Sequence, residues 1–163
     1  MGYLPNAFEF NLRLKPPLAP DLASAIVWFD AYVTNVDRTP RNVNLLVWQE
    51  ELWLIDHGAS LYFHHSWDDY LQRSRSPFPL IKQHSLIHLA RTIREADLAL
   101  RPRLTPALIG QIINAIPAVW LNHDSPFSSP VEHRQAYLAY LLNRLEAASN
   151  FVEEAIHAHA ELL

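Results

Sequence analysis

The chain of 163 residues contains no cysteine. This absence excludes disulfide bonds, thiolate metal sites and a cysteine nucleophile. Glycine is limited to Gly2, Gly58 and Gly110, which excludes a Gly-rich phosphate-binding loop of the GxGxxG or GxxxxGK type. Because glycine adopts positive φ at little cost, we expect Gly58 to supply that conformation inside the polar segment where it lies.

The sequence also has no excess of positive charge and no long apolar run. Its formal net charge of −4 argues against a nucleic-acid binder, which would present a basic face. No apolar run approaches the ~20 residues needed to cross a bilayer. Residues 1–10 have no basic region followed by an apolar stretch, as a signal peptide would. We therefore expect a soluble, cytoplasmic protein that binds neither nucleic acid nor membrane.

The composition is that of a folded domain. Hydrophobic residues make up 50% of the chain and charged residues 18%, proportions that favour a globular core over disorder. A chain of this length can bury a substantial core, and it shows no internal repeat or linker. We expect residues 1–163 to form a single domain.

Most of the chain has the apolar spacing of helices. Pro20 and Asp21 suit the first turn of a helix that continues to about Tyr32. The same spacing predicts further helices over residues 67–73, 86–100, 106–116 and 131–159, separated by loops at 74–79 and 124–130.

Two short β-prone runs interrupt the helices. Asn44–Trp48 and Leu52–Ile55 flank the polar residues 49–51 and predict a β-hairpin, whereas residues 3–17 read as irregular. The predicted fold class is therefore mainly α (α+β), with one small β-hairpin.

The chemistry of the chain is concentrated around this hairpin. The sequence NVDRTPRN from Asn35 precedes it and IDHG from Ile55 follows it. Asp37 is followed by Asn42 five residues later and by Asp56 fourteen residues after that. An Asp in this position accepts a proton from an attacking hydroxyl, and Asn and Asp oxygens bind Mg²⁺ against nucleotide phosphates. The spacing indicates the metal-and-base half of a kinase site.

Other readings of these residues remain open. Asp56 and Gly58 are also compatible with an ordinary turn after a strand. Arg38 and Arg41 could contact phosphate or brace the loop. We expect Asn35 and Asn44 to support the loop backbone through side-chain hydrogen bonds.

The stretch from Trp28 to His65 resembles the catalytic core of HipA-like kinases and, more distantly, of phosphatidylinositol kinases. The resemblance implies the helical C-terminal lobe of a protein-kinase-like fold, with Mg²⁺ and ATP as cofactors. It implies that Asp37 is catalytic and that Asn42 and Asp56 bind the metal and the cofactor. We expect Arg38 to bind the cofactor as well, because its cation could contact phosphate. The best-known members of the family phosphorylate protein Ser residues, and some are toxins of toxin–antitoxin pairs. The resemblance therefore implies transfer of the γ-phosphate of ATP to a hydroxyl, with protein Ser or Thr as the expected acceptor.

The sequence departs from the family before Asn35. HipA-like kinases have an N-terminal lobe with a phosphate-covering loop and a lysine that contacts ATP. Only 34 residues precede Asn35, and their one lysine, Lys15, is followed by two prolines, so we assign it no catalytic role. We therefore expect the C-terminal lobe without the ATP-covering lobe, paired with an N-lobe or antitoxin chain or with a second copy of itself.

Three functions follow from these observations. The first is a kinase acting on a protein hydroxyl. The second is a kinase remnant, or one half of a split kinase, that acts as a binding or regulatory module. The third is a small-molecule or lipid kinase with a similar catalytic loop.

Overall fold

The computed structural model describes residues 4–11, 17–122 and 125–162. Lys15 therefore lies outside the described residues, as does Asp124, the first residue of a predicted loop. Seven α-helices lie within the described part: α1 (Pro20–Tyr32), α2 (Tyr70–Arg73), α3 (Ile93–Leu100), α4 (Pro106–Asn114), α5 (Ala118–Leu121), α6 (Pro130–Glu146) and α7 (Ala148–Ala160). Short 3₁₀ turns connect some of them, at Tyr62–His65, Pro79–Gln83, Ile87–Leu89 and Arg101–Arg103.

The strands form one antiparallel sheet in the order β1 (Phe8–Glu9), β2 (Leu45–Trp48) and β3 (Glu51–Leu54). The hairpin of β2 and β3 confirms the prediction, and the mainly helical fold class is confirmed with it. The expectation of an irregular segment over residues 3–17 was wrong at Phe8 and Glu9, because Phe8 pairs with Val47 in β2, and its residues 3 and 12–16 lie outside the described residues. A strand of two residues is too short to show an alternating pattern in the sequence.

Helix α1 begins and ends where the sequence predicts, with Pro20 in its first turn. It runs through the middle of the core, and Val27, Trp28 and Ala31 are buried. Trp28 contacts Phe151 of α7 with ring centroids 5.8 Å apart, and its Nε1–H donates to Asp97 of α3 over 2.9 Å. These contacts fix the end of α1, from which the polar loop starts.

Two predicted helices are each divided. Residues 86–100 do not form one helix: a 3₁₀ turn covers Ile87–Leu89, α3 begins only at Ile93, and the backbone N–H of Thr92 between them donates to Ser24 Oγ of α1 over 3.0 Å. The predicted helix over 131–159 is broken at Ala147, which ends α6 and precedes α7. Neither break contains proline or glycine, so packing against other elements overrides a continuous helical pattern. The predicted helices near residues 67 and 106 are confirmed in shorter form, as α2 and α4.

None of the described helices combines the length and the apolar character that crossing a membrane requires.

Candidate functional site

A tight turn closes the segment from Asp37 to Asn42. Thr39 and Asn42 exchange two backbone hydrogen bonds, each 3.0 Å long. Pro40 and Arg41 form the tip, where the fixed φ of proline suits the first central position of a turn. The turn therefore returns Asn42 to the side of Asp37.

Two asparagine side chains bind the Asp37 carboxylate. Asn42 Nδ2 donates to Oδ2 over 2.6 Å, and Asn44 Nδ2 donates to the same oxygen over 3.1 Å. The backbone N–H of Asp37 donates to Asn35 Oδ1 over 3.1 Å. Among the described residues no donor reaches Asp37 Oδ1. The carboxylate is thus oriented through one oxygen, and the other is left for a proton-donating group.

Asn44 also connects Asp37 to the segment that carries Asp56. Its carbonyl oxygen accepts the backbone N–H of Ile55 over 3.1 Å, at the open end of the hairpin. Its own φ of 52° lies in the left-handed region, which Asn tolerates better than most residues. One residue therefore contacts the Asp37 side chain and the residue before Asp56.

Asp56 is exposed and has a φ of 50°. The backbone N–H of Gly58 donates weakly to its Oδ1 over 3.4 Å. A further backbone bond, from the N–H of Val36 to the carbonyl of Ala59, holds this segment against the loop over 3.4 Å. The structure thus brings Asp37, Asn42 and Asp56 into neighbouring segments, as the hairpin predicts.

The expectation for Gly58 was wrong, because its φ is not positive. Asp56 adopts the left-handed conformation instead, and its short polar side chain can bond locally there. A Cβ at Gly58 would lie 3.4 Å from Asp56 Oδ1, so glycine keeps space beside that carboxylate. His57 is exposed and contacts the ring of Phe29, with centroids 6.0 Å apart.

A buried network lies beneath the loop, formed by Asp30, Asn35, Arg38 and His84, and we call it the Asp30 network. Asn35 Nδ2 donates to Asp30 Oδ1 over 3.0 Å. Arg38 Nε and His84 Nε2 donate to Asp30 Oδ2 over 2.5 and 2.9 Å. Burial raises the pKa of the Asp30 carboxyl. Hydrogen bonds from His84 and Arg38 and the adjacent positive charge together have the larger, opposite effect, so this pKa lies below its ordinary value.

Arg38 has the contacts of a residue that braces the loop. Its side chain is fully buried, and besides the bond to Asp30 its Nη1 donates to the carbonyl of Asn44. Its predicted role in cofactor binding stays a prediction, and these inward contacts favour the bracing alternative. Arg41, in contrast, is exposed at the tip of the turn.

The donor set at this site suits a hard cation such as Mg²⁺. Asn42 uses its amide nitrogen on Asp37, which leaves its amide oxygen for a cation, and Asp56 is exposed with one weak internal bond. No group of three or more His, Asp or Glu side chains in the described residues is placed to hold a metal ion. Mg²⁺ fits such a site, because it binds one or two protein oxygens and completes its shell with water and phosphates.

Two concave surfaces border these segments. A cavity of about 210 Å³ begins at Thr34 and Val36 and is lined further by aromatic side chains and by Arg73. A groove of about 340 Å³ lies between α1, Leu54 of β3 and the segment from Leu100 to Leu104, and its lining is almost wholly apolar.

The sequence reasoning missed two members of the Asp30 network. Asp30 follows Ile26 by four positions, so its place on the apolar face of α1 was a usable signal of a buried carboxylate. His84 has no such signal, because its partner is 54 residues away in the chain. Asn44 differs from the expectation in detail, since its side chain binds the Asp37 carboxylate and not the backbone.

A family model described as HipA-like kinase matches residues 3–154. Neither the curated proteins nor the solved structures contain a match to the chain. The matched span includes the Asp37 loop, the hairpin, Asp56 and most of the helical remainder. The resemblance carried by Trp28–His65 is therefore confirmed over most of the sequence, and the chain belongs to the HipA-like kinase family, whose name denotes phosphate transfer of the kinase type.

Proposed function

We propose that this chain binds Mg²⁺-ATP and transfers the γ-phosphate to a hydroxyl group of a protein Ser or Thr. The observation that carries the proposal is the state of the Asp37 carboxylate. Two amides hold its Oδ2, while Oδ1 has no donor among the described residues. A general base needs this combination of fixed orientation and one accessible oxygen.

The residues divide the reaction between them. Asp37 Oδ1 accepts the proton of the acceptor hydroxyl while the hydroxyl oxygen forms a bond to the γ-phosphorus. The bond from that phosphorus to the bridging oxygen breaks, and ADP leaves. Asn42 and Asp56 would hold Mg²⁺, which neutralises phosphate charge when bound. The contribution of the protein is chiefly to position and orient these groups.

The cavity beside the loop favours a protein side chain as acceptor. Its lining includes Val36, the residue before Asp37, but not Asp37 itself, and its volume of about 210 Å³ is below the roughly 300 Å³ at which small-molecule pockets begin. Tyr62, Phe63 and Tyr140 supply aromatic walls, which suit one side chain of a peptide better than a whole lipid or nucleotide.

Calorimetry of ATP binding tests the metal role. We expect Mg²⁺-dependent binding by the wild-type chain and its loss in Asp56→Asn. Asp69→Asn is a matched control, because Asp69 is also exposed and has a φ of 49°, close to the 50° of Asp56. Equal binding by Asp56→Asn and wild type would contradict the assignment. A folded wild-type chain that binds no Mg²⁺-ATP would remove the proposal for the chain alone.

A second variant separates chemistry from binding. Asp37→Asn preserves the shape of the side chain and its bonds from Asn42 and Asn44, but it removes the base. We expect phosphate transfer to a protein acceptor to fall at least about 100-fold, while Mg²⁺-ATP binding is retained. Unchanged turnover would contradict the assignment of Asp37 as the general base.

The second candidate is a binding module without turnover of its own. The apolar groove between α1, Leu54 and the segment from Leu100 to Leu104 favours it, because a surface of this kind is seldom left in water. Under this alternative the wild-type chain transfers no phosphate, and Asp37→Asn retains every binding activity of wild type.

A further inference from the structure

The Asp37 loop receives support from a distant segment of the chain. Of the three donors to Asp30, Asn35 and Arg38 belong to the loop, whereas His84 lies 54 residues away from Asp30. The next residue, Ser85, donates its backbone N–H to the carbonyl of Arg38 over 2.9 Å. Residues 84 and 85 therefore hold Arg38 in two ways. His84 bonds to Asp30, which binds the Arg38 side chain, and Ser85 bonds to the Arg38 backbone.

The tautomer of His84 follows from its two contacts. The backbone N–H of Leu86 donates to Nδ1 over 3.0 Å, so this nitrogen presents a lone pair. The ring proton is therefore on Nε2, where it is donated to Asp30 Oδ2. With both nitrogens engaged and the residue 5% exposed, the imidazole is placed to hold neighbouring groups and not to meet a substrate.

Two routes of hydrogen bonds lead from Asp30 to Asp37. Through the first, Asn35 donates to Asp30 and accepts the backbone N–H of Asp37. Through the second, Arg38 binds Asp30 and the carbonyl of Asn44, whose side chain holds Asp37 Oδ2. Movement of the Asp30 carboxylate would therefore move Asn35 and Asn44, two of the three asparagines that bond to Asp37.

We propose that His84 is a positioning residue for phosphate transfer, whose Nε2–H bond to Asp30 sets the orientation of the Asp37 carboxylate. This role rests on the proposed function of Asp37 as the base. Because His84 is buried and both of its ring nitrogens are bonded within the protein, it acts through Asp30, Asn35 and Arg38.

Two substitutions separate the two bonds of the imidazole. In His84→Gln the longer side chain places its amide near the Nε2 position and can still donate to Asp30, but it abandons the N–H of Leu86. In His84→Asn the amide oxygen lies near the Nδ1 position and can accept from Leu86, but the bond to Asp30 is lost. Each variant loses the ring and keeps one of its two contacts.

The first readout is steady-state phosphate transfer by the full chain with Mg²⁺-ATP. We expect kcat to fall roughly 10- to 100-fold in His84→Asn, because small displacements of a catalytic group have effects of this size. We expect KM for ATP to stay within about threefold and His84→Gln to keep most of the wild-type kcat, since ground-state binding of ATP is untouched. His88→Gln is the control, because His88 is exposed four residues away. Equal kcat in the Asn and Gln variants would overturn the proposal.

The second readout does not need activity. Hydrogen exchange measured by NMR reports the Asp37 amide, which bonds to Asn35. We expect this amide to lose protection in His84→Asn and to keep it in His84→Gln. Wild-type protection of the Asp37 amide in His84→Asn would overturn the positioning role. A wild-type chain without turnover would refute the proposed function, and the exchange experiment would still decide whether His84 places Asp37.

Discussion

At the scale of single residues, the Asp30 carboxylate is compensated by its neighbours and not by water. Its side chain and that of Arg38 have no exposed surface. A buried carboxylate without partners would be strongly destabilising, but Asp30 receives three hydrogen bonds and one positive charge. Removing either partner of this pair therefore leaves the other charge buried alone.

We expect Asp30→Ala to lower the free energy of unfolding by about 3 to 5 kcal/mol, the usual cost of breaking a buried ion pair. Glu153→Ala is the control, because its pair with Arg94 is more than half exposed and contributes less than about 1 kcal/mol. Urea denaturation followed by circular dichroism measures both. A similar small cost for the two variants would show that Asp30 is not held as described.

The lowered pKa of Asp30 predicts that the protein loses stability in acid. The pKa of Asp30 is lowered in the folded protein, so below the ordinary pKa of Asp, about 3.9, the unfolded chain binds a proton more readily. The stabilisation is complete above that pH and is lost as the pH falls through the lower, folded pKa. Asp30→Asn should therefore differ most from wild type at neutral pH, and the difference should shrink below about pH 4. A difference that grows in acid would contradict this sign.

The residues of the site were predictable to different degrees. Asp37, Asn42 and Asp56 could be found because their spacing is short and only a turn and a hairpin separate them. The supports under them were harder to predict, because the bond from His84 to Asp30 depends on the folding of the whole domain. Local spacing identifies the candidate catalytic groups, whereas tertiary contacts decide what holds them.

At the scale of elements, the hairpin has an unfavourable turn. Gln49 and Glu50 both have positive φ, at 51° and 66°, which is the geometry of a type I′ turn. Neither side chain suits the left-handed region, and Asn-Gly is the preferred pair there. The hairpin that brings Asp56 near Asp37 thus forms although Gln49 and Glu50 disfavour the backbone conformation of its turn.

We expect the double substitution Gln49→Asn and Glu50→Gly to raise the free energy of unfolding by about 1 kcal/mol, by relieving part of this strain. Glu51→Gly is the control, because residue 51 is in β3 with ordinary strand geometry and should lose stability. Urea denaturation measures both. A destabilised double variant would mean that the two side chains make contacts worth more than the strain.

Secondary structure was predictable where local signals decide it. The bounds of α1 follow from Pro20 and from apolar spacing, and the hairpin follows from its two β-prone runs. The break at Ala147 has no such signal, because helical spacing continues through it and packing of α7 on the core determines its place. Thr92 likewise leaves a helical pattern to bond with Ser24.

At the scale of the whole molecule, Arg144 of α6 joins three parts of the fold. Its guanidinium, in a residue 1% exposed, donates to the carbonyls of Ala31 and Tyr32 at the end of α1. It also donates over 3.1 Å to the carbonyls of Ser74 and Ser76. A cation at the C-terminal end of a helix complements its dipole, so Arg144 stabilises the point where α1 gives way to the Asp37 loop.

We expect Arg144→Met to lower the free energy of unfolding by about 3 to 5 kcal/mol, because several buried carbonyls lose their donors. Arg75→Met is a matched control, since Arg75 also pairs with α6, through Glu146, but is half exposed and should cost less than about 1 kcal/mol. Thermal and urea unfolding measure both variants. Equal losses of unfolding free energy in the two variants would contradict a special contribution from the buried hydrogen bonds of Arg144.

The sequence separation of the Asp30 contacts also bears on the order of folding. Asn35 and Arg38 lie five and eight residues from Asp30, so their bonds can form together with α1. The bond from His84 must close a loop of 54 residues, and such closure carries a larger entropic cost. We expect a φ-value near zero in folding kinetics for His84→Asn, which removes the bond to Asp30, and a clearly higher one for Asn35→Ala. During synthesis from the N-terminus, the Asp37 loop would then acquire its final geometry only after residue 84 has left the ribosome.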